Sequence, residues 1–238
     1  LYLSKQKGKN RTSYAKEITL EAVSYIVAMD SFPCPKFIDR KDEIDRLKYI
    51  FDTIVLKSDL LQVAFVTGEL GSGKTRLLTE LNNYVRERAA IINCHSSMAH
   101  IQDPYFLFAK GVSDYIGKIG IDNLGLSGVF SRISPLELVQ LSRIVPPIAQ
   151  LLNRPIAPEA DDIKARFLLF KGFLDFLIEL NKNQPVLILF DDIQWIDKAS
   201  LELLRYLYMQ EKNKRIFIAC AYDEDKFSQR TDDFGLKA

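Results

Sequence analysis

The residues best suited to chemistry lie in two short segments, GELGSGKT at Gly68 to Thr75 and FDD at Phe190 to Asp192. The first combines three glycines with a lysine and a threonine. Glycines let a backbone curl so that its N–H groups point inward, the lysine adds positive charge, and the hydroxyl can bind a metal ion. The second places two carboxylates after an apolar run, and carboxylates bind divalent cations. Together they predict a site for a phosphate-bearing ligand and its metal.

The first segment fits the pattern G-x-x-x-x-G-K-[ST] at every fixed position. It follows the apolar run 61–68 and precedes a helix predicted to begin at Lys74, whose positive end faces the loop. Lys74 is expected to act in catalysis at the outer phosphates, and the Thr75 hydroxyl is expected to ligate Mg²⁺. A chance glycine-rich turn is the alternative, and the strand–loop–helix context argues against it. The predicted phosphate-binding residues are Gly68, Glu69, Leu70, Gly71, Ser72, Gly73, Lys74 and Thr75.

The second segment supplies the acids. Leu187 to Phe190 predict a buried strand that brings Asp191 to the carboxyl edge of a sheet, where ligands bind in open α/β folds. We predict that Asp191 holds Mg²⁺ and that Asp192 acts in catalysis by orienting or deprotonating an attacking water. An acid pair that only caps a turn is the structural alternative. The tetrapeptide NKNQ at 181–184 is close to a guanine-binding signature, but it lacks the aspartate and precedes a strand, so adenine is favoured.

Apolar strands alternate with helices along the chain, which predicts a parallel sheet with helical crossovers, an α/β three-layer sandwich of the P-loop NTPase type. We expect the strand of Asp191 and the final strand, RIFIACAY, to flank the phosphate-loop strand. One helix is predicted to have Asp103 as its cap and Pro104 as its first residue. Ser134 and Glu137 predict a capping box, and residues 120–128 predict a loop.

The composition of the chain argues against several classes of function. The chain has 32 basic and 31 acidic residues, so no global field attracts it to nucleic acid or to an anionic membrane. The three cysteines have no paired spacing and suggest reduced thiols of a cytoplasmic protein. His95 and His100 have no obvious partner ligands nearby in sequence and are expected to be ordinary loop histidines. No run reaches the ~18 apolar residues needed to span a bilayer.

The sequence begins with Leu rather than Met, so we expect it to be part of a longer chain. Residues 1–32 are predicted to be a linker and a helix from an upstream domain, and residues 33–238 the nucleotide-binding domain.

Five segments, occurring in one order, resemble the AAA-type ATPase domain of the STAND class, also described as origin-recognition-like. They are FIDRKDEIDRL, TGELGSGKTRLLTEL, DPYFLFAKGV, PVLILFDDIQWIDKASLELLRYL and IFIACAYDEDK. In that family the domain is fused to bacterial LuxR-type regulators, nucleotide cyclases and kinase hybrids. The resemblance implies a switch in which ADP holds a closed state and ATP opens it. It also implies ATP or ADP with Mg²⁺ as cofactors, and partners among flanking effector and sensor domains, with helical repeats and other copies of the chain as further candidates. The same resemblance implies a fifth strand and a helical lid beyond Ala238, so that the fold is truncated before its last strand.

Two positions compare less simply with the family. Phe37, Ile38 and Arg40 match a short motif that flanks the adenine, with Ile38 as the expected contact, although Asp39 replaces the usual glycine. Many relatives have an arginine that could sense the outer phosphate where this chain has Asp223, and a carboxylate there would repel phosphate. Either Lys226 or Arg230 serves instead, or phosphate sensing and hydrolysis are weakened, or Asp223 points away from the site.

Three functions remain open on the sequence alone. A slowly hydrolysing ATPase switch of a bacterial signalling or transcription-regulatory protein is the leading hypothesis. A non-hydrolysing, nucleotide-bound scaffold is the second, and Asp223 is its best support. A DNA-associated initiator-like ATPase is the third, and the near-zero net charge argues against direct nucleic acid contact.

Overall fold

The computed structural model describes residues 40–56, 61–152, 161–210 and 215–231. The predicted upstream segment 1–32 and the residues Phe37 and Ile38 lie outside these ranges. Four parallel strands form one sheet in the order β1-β4-β3-β2. The strands are β1 (Gln62–Thr67), β2 (Ala90–His95), β3 (Val186–Asp191) and β4 (Ile216–Tyr222). The α/β class predicted from the alternating pattern is therefore confirmed.

One of the two neighbours predicted for the phosphate-loop strand is wrong. β4 pairs with β1 as expected, but β4 also pairs with β3 and so separates the strand of Asp191 from β1. Residues Ile216 to Ala221 of β4 are all buried. A strand that is apolar on both faces is suited to the middle of a sheet. Apolar content shows that a strand is buried, but it does not say between which partners.

Helices cover both faces of the sheet. α1 (Lys41–Tyr49) continues into a π-helical turn (Ile50–Val55) that packs on β1 and β4, and α2 (Lys74–Val85) packs on β4 and β3. α3 (Phe106–Ile119) packs on β2, and the long α7 (Asp162–Asn183) packs on β3. The remaining helices are α4 (Leu124–Phe130), α5 (Pro135–Ser142), α6 (Pro146–Ala149), α8 (Lys198–Tyr208) and α9 (Glu224–Thr231). None of the helices among the described residues is long and apolar enough to cross a membrane.

The start of α3 differs from the prediction. The helix begins at Phe106, and its N-cap is Tyr105 in the left-handed conformation (φ 63°), not Asp103. The carboxylate of Asp103 is instead 2.8 Å from the His100 ring. The Tyr105 N–H donates to Asp197 Oδ1 at 3.1 Å. A carboxylate distant in sequence therefore binds the backbone at the helix start, which local capping rules do not anticipate.

The segment predicted as a loop, 120–128, contains most of α4. Asn123 caps this helix, because its Oδ1 accepts hydrogen bonds from the N–H groups of Gly125 (2.9 Å) and Leu126 (3.3 Å). Leu126, Val129 and Phe130 are buried at the spacing of one helix face. Burial of that face and the asparagine cap outweigh the two glycines of the helix.

The predicted capping box is also absent. Ser134 is the N-cap of α5 by position, but its side chain makes no capping hydrogen bond. Glu137 is buried and accepts a hydrogen bond from Lys171 of α7 at 2.7 Å, so its carboxylate joins two helices rather than closing its own.

A second buried acid, Glu179 of α7, is held by two cations. Arg132 and Lys182 each donate to its carboxylate at 2.5 Å. Burial tends to raise the pKa of Glu179, but the hydrogen bonds from Lys182 and Arg132 outweigh it and the pKa is lowered. The carboxylate therefore stays charged at neutral pH and stabilises the contact between α7 and the end of α4.

Helix α3 approaches β2 closely at Gly111. A Cβ added there would lie 2.4 Å from the Sγ atom of Cys94 and 3.0 Å from the carbonyl oxygen of Asn93. Gly117, six residues further along the same helix, has no atom within 4 Å of such a Cβ. Cys94 and Cys220 are both buried free thiols, as predicted, and burial raises the pKa of both, whereas Cys34 lies outside the described residues.

Candidate functional site

The predicted phosphate loop lies between the end of β1 and the first residue of α2, Lys74. Gly68, Gly71 and Gly73 have φ values of 154°, 80° and 86°. The last two lie in the left-handed region that favours glycine. Leu70 is exposed at the tip of the loop. The glycine spacing of the motif therefore corresponds to backbone turns that other residues adopt at a cost in free energy.

Lys74 is buried against this loop. Its Nζ donates to the carbonyl oxygens of Gly68 at 2.6 Å and Glu69 at 2.9 Å. Ser72 Oγ is also buried and has no hydrogen-bond partner among the described residues. It lies inside the curl, since a Cβ on Gly68 would be 2.7 Å from it. A buried cation and an unsatisfied hydroxyl inside one small loop fit the oxygens of a phosphate group.

The Thr75 and Asp191 side chains lie together although β1, which leads to Thr75, is not a neighbour of β3, which ends at Asp191. α2 crosses over β4 and β3, which brings its first turn to the carboxyl end of β3. The Thr75 side chain hydrogen-bonds the Asp191 carboxylate. Burial tends to raise the pKa of Asp191, but hydrogen bonds from His95 and Thr75 outweigh it, so its pKa is lowered and the group is an anion at neutral pH. A hydroxyl and a charged carboxylate in contact are a donor set that suits Mg²⁺.

Asp192 has a strained backbone that its surroundings hold in place. Its φ of 57° is in the left-handed region, which is uncommon outside glycine. The buried Ser96, next after β2, donates through Oγ to the carbonyl oxygens of Asp192 at 2.5 Å and Asp191 at 3.2 Å. These bonds fix the turn that follows β3. Such strain is often found where a side chain must be aimed at a ligand.

Gln194 holds the Asp192 side chain. Its Nε2 donates to Asp192 Oδ1 at 2.9 Å, and its Oε1 accepts from the Asp223 N–H at 3.2 Å. Gln194 is only 3% exposed. One buried amide thus connects the carboxylate after β3 to the backbone after β4, across two neighbouring strands.

The Asp223 side chain interacts with Lys226 in the first turn of the helix that follows it. Its Oδ1 accepts from the N–H of Lys226 at 3.2 Å, and its Oδ2 lies 3.6 Å from Lys226 Nζ. The carboxylate therefore occupies the N-terminus of α9, where an acid is favoured. At the position where the resemblance implied a phosphate-sensing arginine, this chain therefore has an acid that caps a helix.

His95 was expected to be an ordinary loop histidine, and this expectation is wrong. It is the last residue of β2, in register with Asp191. Its Nδ1 lies 3.5 Å from Asp191 Oδ2. A hydrogen bond to Asp191 raises the pKa of His95, and burial opposes this only in part. The available signal was its position at the end of an apolar strand, which a parallel sheet brings to the same edge as Asp191.

The predicted adenine motif is described only in part. Arg40 lies next to the phosphate loop, since its Nη2 would be 3.6 Å from a Cβ on Gly68. Ile38 and Phe37 lie outside the described residues, so the adenine contact stays a prediction. The sequence 181–184 ends α7 and precedes β3, so it lies at the opposite end of that strand from Asp191. A guanine signature would have to lie at the carboxyl edge of the sheet, where the nucleotide binds, and this segment lies at the other edge.

The parallel sheet, the glycine loop and the adjacent threonine and aspartate define a P-loop nucleotide-binding domain. The family described as AAA ATPase domain matches residues 36–218 of the chain. The chain therefore belongs to the AAA ATPase domain family, whose members generally bind ATP or ADP with Mg²⁺.

Two solved structures are similar to this chain at low identity. One is the ORC2 protein of Aeropyrum pernix in its ADP form, with 15% identity and a TM-score of 0.43, covering 87% of this chain and 47% of that chain. The other is a Walker-type ATPase of Pyrococcus abyssi, with 14% identity and a TM-score of 0.40, covering 86% and 61%. The chain spans less than two thirds of either protein. Among curated protein sequences, none matches it.

Proposed function

We propose that this chain is the ATP-binding switch module of a multidomain bacterial signalling or transcription-regulatory protein. The observation that carries the nucleotide part is the contact between the Thr75 hydroxyl and the Asp191 carboxylate beside the glycine loop. Two metal-binding oxygens next to a buried lysine are the arrangement needed for a magnesium-bound triphosphate. The signalling part is supported by the resemblance of the ordered motifs to STAND-class domains.

In this proposal each residue has one role. Mg²⁺ would be held by Thr75 and Asp191 and would neutralise charge on the outer phosphates. Lys74 leaves the carbonyl oxygens of Gly68 and Glu69 and binds a phosphate oxygen instead. Backbone N–H groups of the loop bind the remaining oxygens. Asp192, aimed by Gln194 and Ser96, orients the attacking water or accepts its proton.

Turnover is proposed to be slow. The carboxylate of Asp223 caps α9 and pairs with Lys226, so this position supplies no positive charge to the γ-phosphoryl group that is transferred to water. An arginine at such a position contributes strongly to phosphoryl transfer in related chemistry. The same observation favours the second candidate, a nucleotide-bound scaffold that does not hydrolyse ATP. Flanking effector and sensor domains, or other copies of the chain, are the proposed partners of either form.

Nucleotide binding by the full-length protein is the first test. ADP and ATP affinities are measured by calorimetry with Mg²⁺ for wild type, Lys74→Ala and the control Lys110→Ala. Lys110 is an exposed lysine of α3 paired with Asp114, so its removal deletes the same charge away from the loop. We expect Lys74→Ala to weaken binding by at least ~10-fold, since charge-assisted bonds to phosphate are lost. Equal affinities in all three proteins would refute the phosphate-loop assignment.

Hydrolysis is tested separately. Phosphate release is compared between wild type and Asp192→Asn, and the nucleotide that co-purifies with wild type is identified by ion exchange after denaturation. Bound ADP, with slow release that Asp192→Asn abolishes, supports the switch. Bound ATP with no release from either protein supports the scaffold.

A further inference from the structure

The imidazole of His95 lies at the proposed metal site. His95 ends β2 and is in register with Asp191, and both side chains line one cavity with residues of α2 at the carboxyl edge of the sheet. The His95 side chain is 65% exposed, so packing in the core does not account for its position. The role proposed above for Asp191 and Thr75 does not use this ring.

Three side chains converge here. His95, Asp191 and Asp192 can each offer one ligand atom, and these atoms all lie within 4.8 Å of one another. Ligands at ~2.1 Å from one ion are at most ~4.2 Å apart, so the group needs to contract by roughly half an ångström. A cavity of about 140 Å³ adjoins His95 and Asp191, and Thr75 also lines it. At about 30 Å³ for each water, it has room for an ion that keeps part of its hydration shell.

The ligand types decide which ion is favoured. Mg²⁺ prefers a shell made only of oxygen, which the Thr75 hydroxyl and the carboxylate of Asp191 supply. An imidazole nitrogen adds little for Mg²⁺, but it is a preferred ligand of Zn²⁺, Co²⁺, Ni²⁺ and Fe²⁺. A histidine that only forms an ion pair with Asp191 would give no such selectivity, and this is the competing explanation.

We propose that His95 is an additional ligand of the cation site, so that the site binds a transition-metal ion of the imidazole-accepting class more tightly than it binds Mg²⁺. This inference rests on the proposed nucleotide function, because the same Asp191 serves the nucleotide's metal. The occupant is a divalent cation held by one nitrogen, carboxylate oxygens and water.

The chain offers a matched control, because His100 is its only other histidine. The His100 ring pairs with Asp103 at 2.8 Å and stacks on Phe106. Full-length protein without an affinity tag is titrated with Zn²⁺ in the presence of ADP. Calorimetry gives the affinity, and ¹⁵N spectra of the histidine rings report direct ligation. The variants are His95→Ala and His100→Ala, and Mg²⁺-supported ADP binding is measured for each.

We expect His95→Ala to lower the Zn²⁺ affinity by ~10-fold or more, and to lower the Mg²⁺-supported ADP affinity by a smaller factor, because its hydrogen bond to the Asp191 carboxylate is also lost. His100→Ala should match wild type, and Zn²⁺ should shift a ring nitrogen of His95 alone. Equal Zn²⁺ affinity in His95→Ala and wild type, or a His95 ring that does not respond, would overturn the proposal. Failure of wild type to bind ADP with Mg²⁺ would instead refute the nucleotide function, and the ¹⁵N shifts would still decide whether His95 ligates the ion.

Discussion

Replacing Gln194 separates structural support from positioning of the Asp192 carboxylate. Gln194→Ala removes the acceptor of the Asp223 N–H and the donor to Asp192. A buried N–H left without a partner costs about 1–3 kcal/mol, and a lost bond to a charged group adds to this. Because Asp192 is only partly buried, we expect a loss of about 2–4 kcal/mol in the free energy of unfolding.

Gln194→Glu keeps the hydrogen bond to the Asp223 N–H and replaces the one to Asp192 with repulsion between two carboxylates. Its carboxylate can still accept from the Asp223 N–H, but it cannot donate to Asp192 at neutral pH, and two carboxylates then lie at hydrogen-bond distance. We expect a smaller loss of stability than in Gln194→Ala, together with a large loss of phosphate release. Both effects should diminish as the pH falls, because the introduced carboxyl group donates to Asp192 once it is protonated.

Urea unfolding and phosphate release, each measured from pH 5 to pH 8, provide the assay. Gln102→Glu is the control, since it adds the same charge at an exposed position. A loss of stability in Gln194→Ala below ~0.5 kcal/mol would show that the two bonds contribute little. Turnover losses in Gln194→Glu that do not vary with pH would refute the positioning role, even if stability changes as expected.

Three further outcomes follow from packing and ionisation. Gly111→Ala should lower the free energy of unfolding, measured in urea, by about 1–3 kcal/mol, because its Cβ would contact β2. Gly117→Ala should raise it by up to ~1 kcal/mol. Equal effects of the two substitutions would contradict the close approach of α3 to β2. The thiols of Cys94 and Cys220 should not react with Ellman's reagent at pH 8 until the protein unfolds, because burial raises the pKa of Cys220 to about 12 and also raises that of Cys94. Labelling of either thiol in the folded protein, identified by mass spectrometry, would contradict this. Because the pKa of Glu179 is lowered on folding, its contribution to the free energy of unfolding should be complete above pH ~5 and lost as the pH falls below the ordinary glutamate pKa of ~4.3. The free energies of unfolding in urea of wild type and Glu179→Gln should therefore differ at pH 7 and converge in acid.

Features encoded by consecutive residues could be predicted from the sequence. The loop Gly68 to Thr75 and the strand before Asp191 are found as expected, because glycine spacing and apolar runs act over a few residues. The class of fold follows from the same patterns. The start of α3 could not be predicted in this way, because its N-terminal backbone is bound by Asp197, 92 residues away in sequence.

The sequence by itself determined the class of fold, the phosphate loop and the acid that ends β3, since each depends on local backbone geometry and burial. Only the tertiary structure decided the strand order and the surroundings of that acid. Ser96 and His95 reach the turn after β3 because β2 pairs with β3 in register, and Gln194 reaches Asp223 because β4 lies beside β3. These contacts depend on which strands become neighbours, a choice made by the packing of the whole sheet rather than by any single segment.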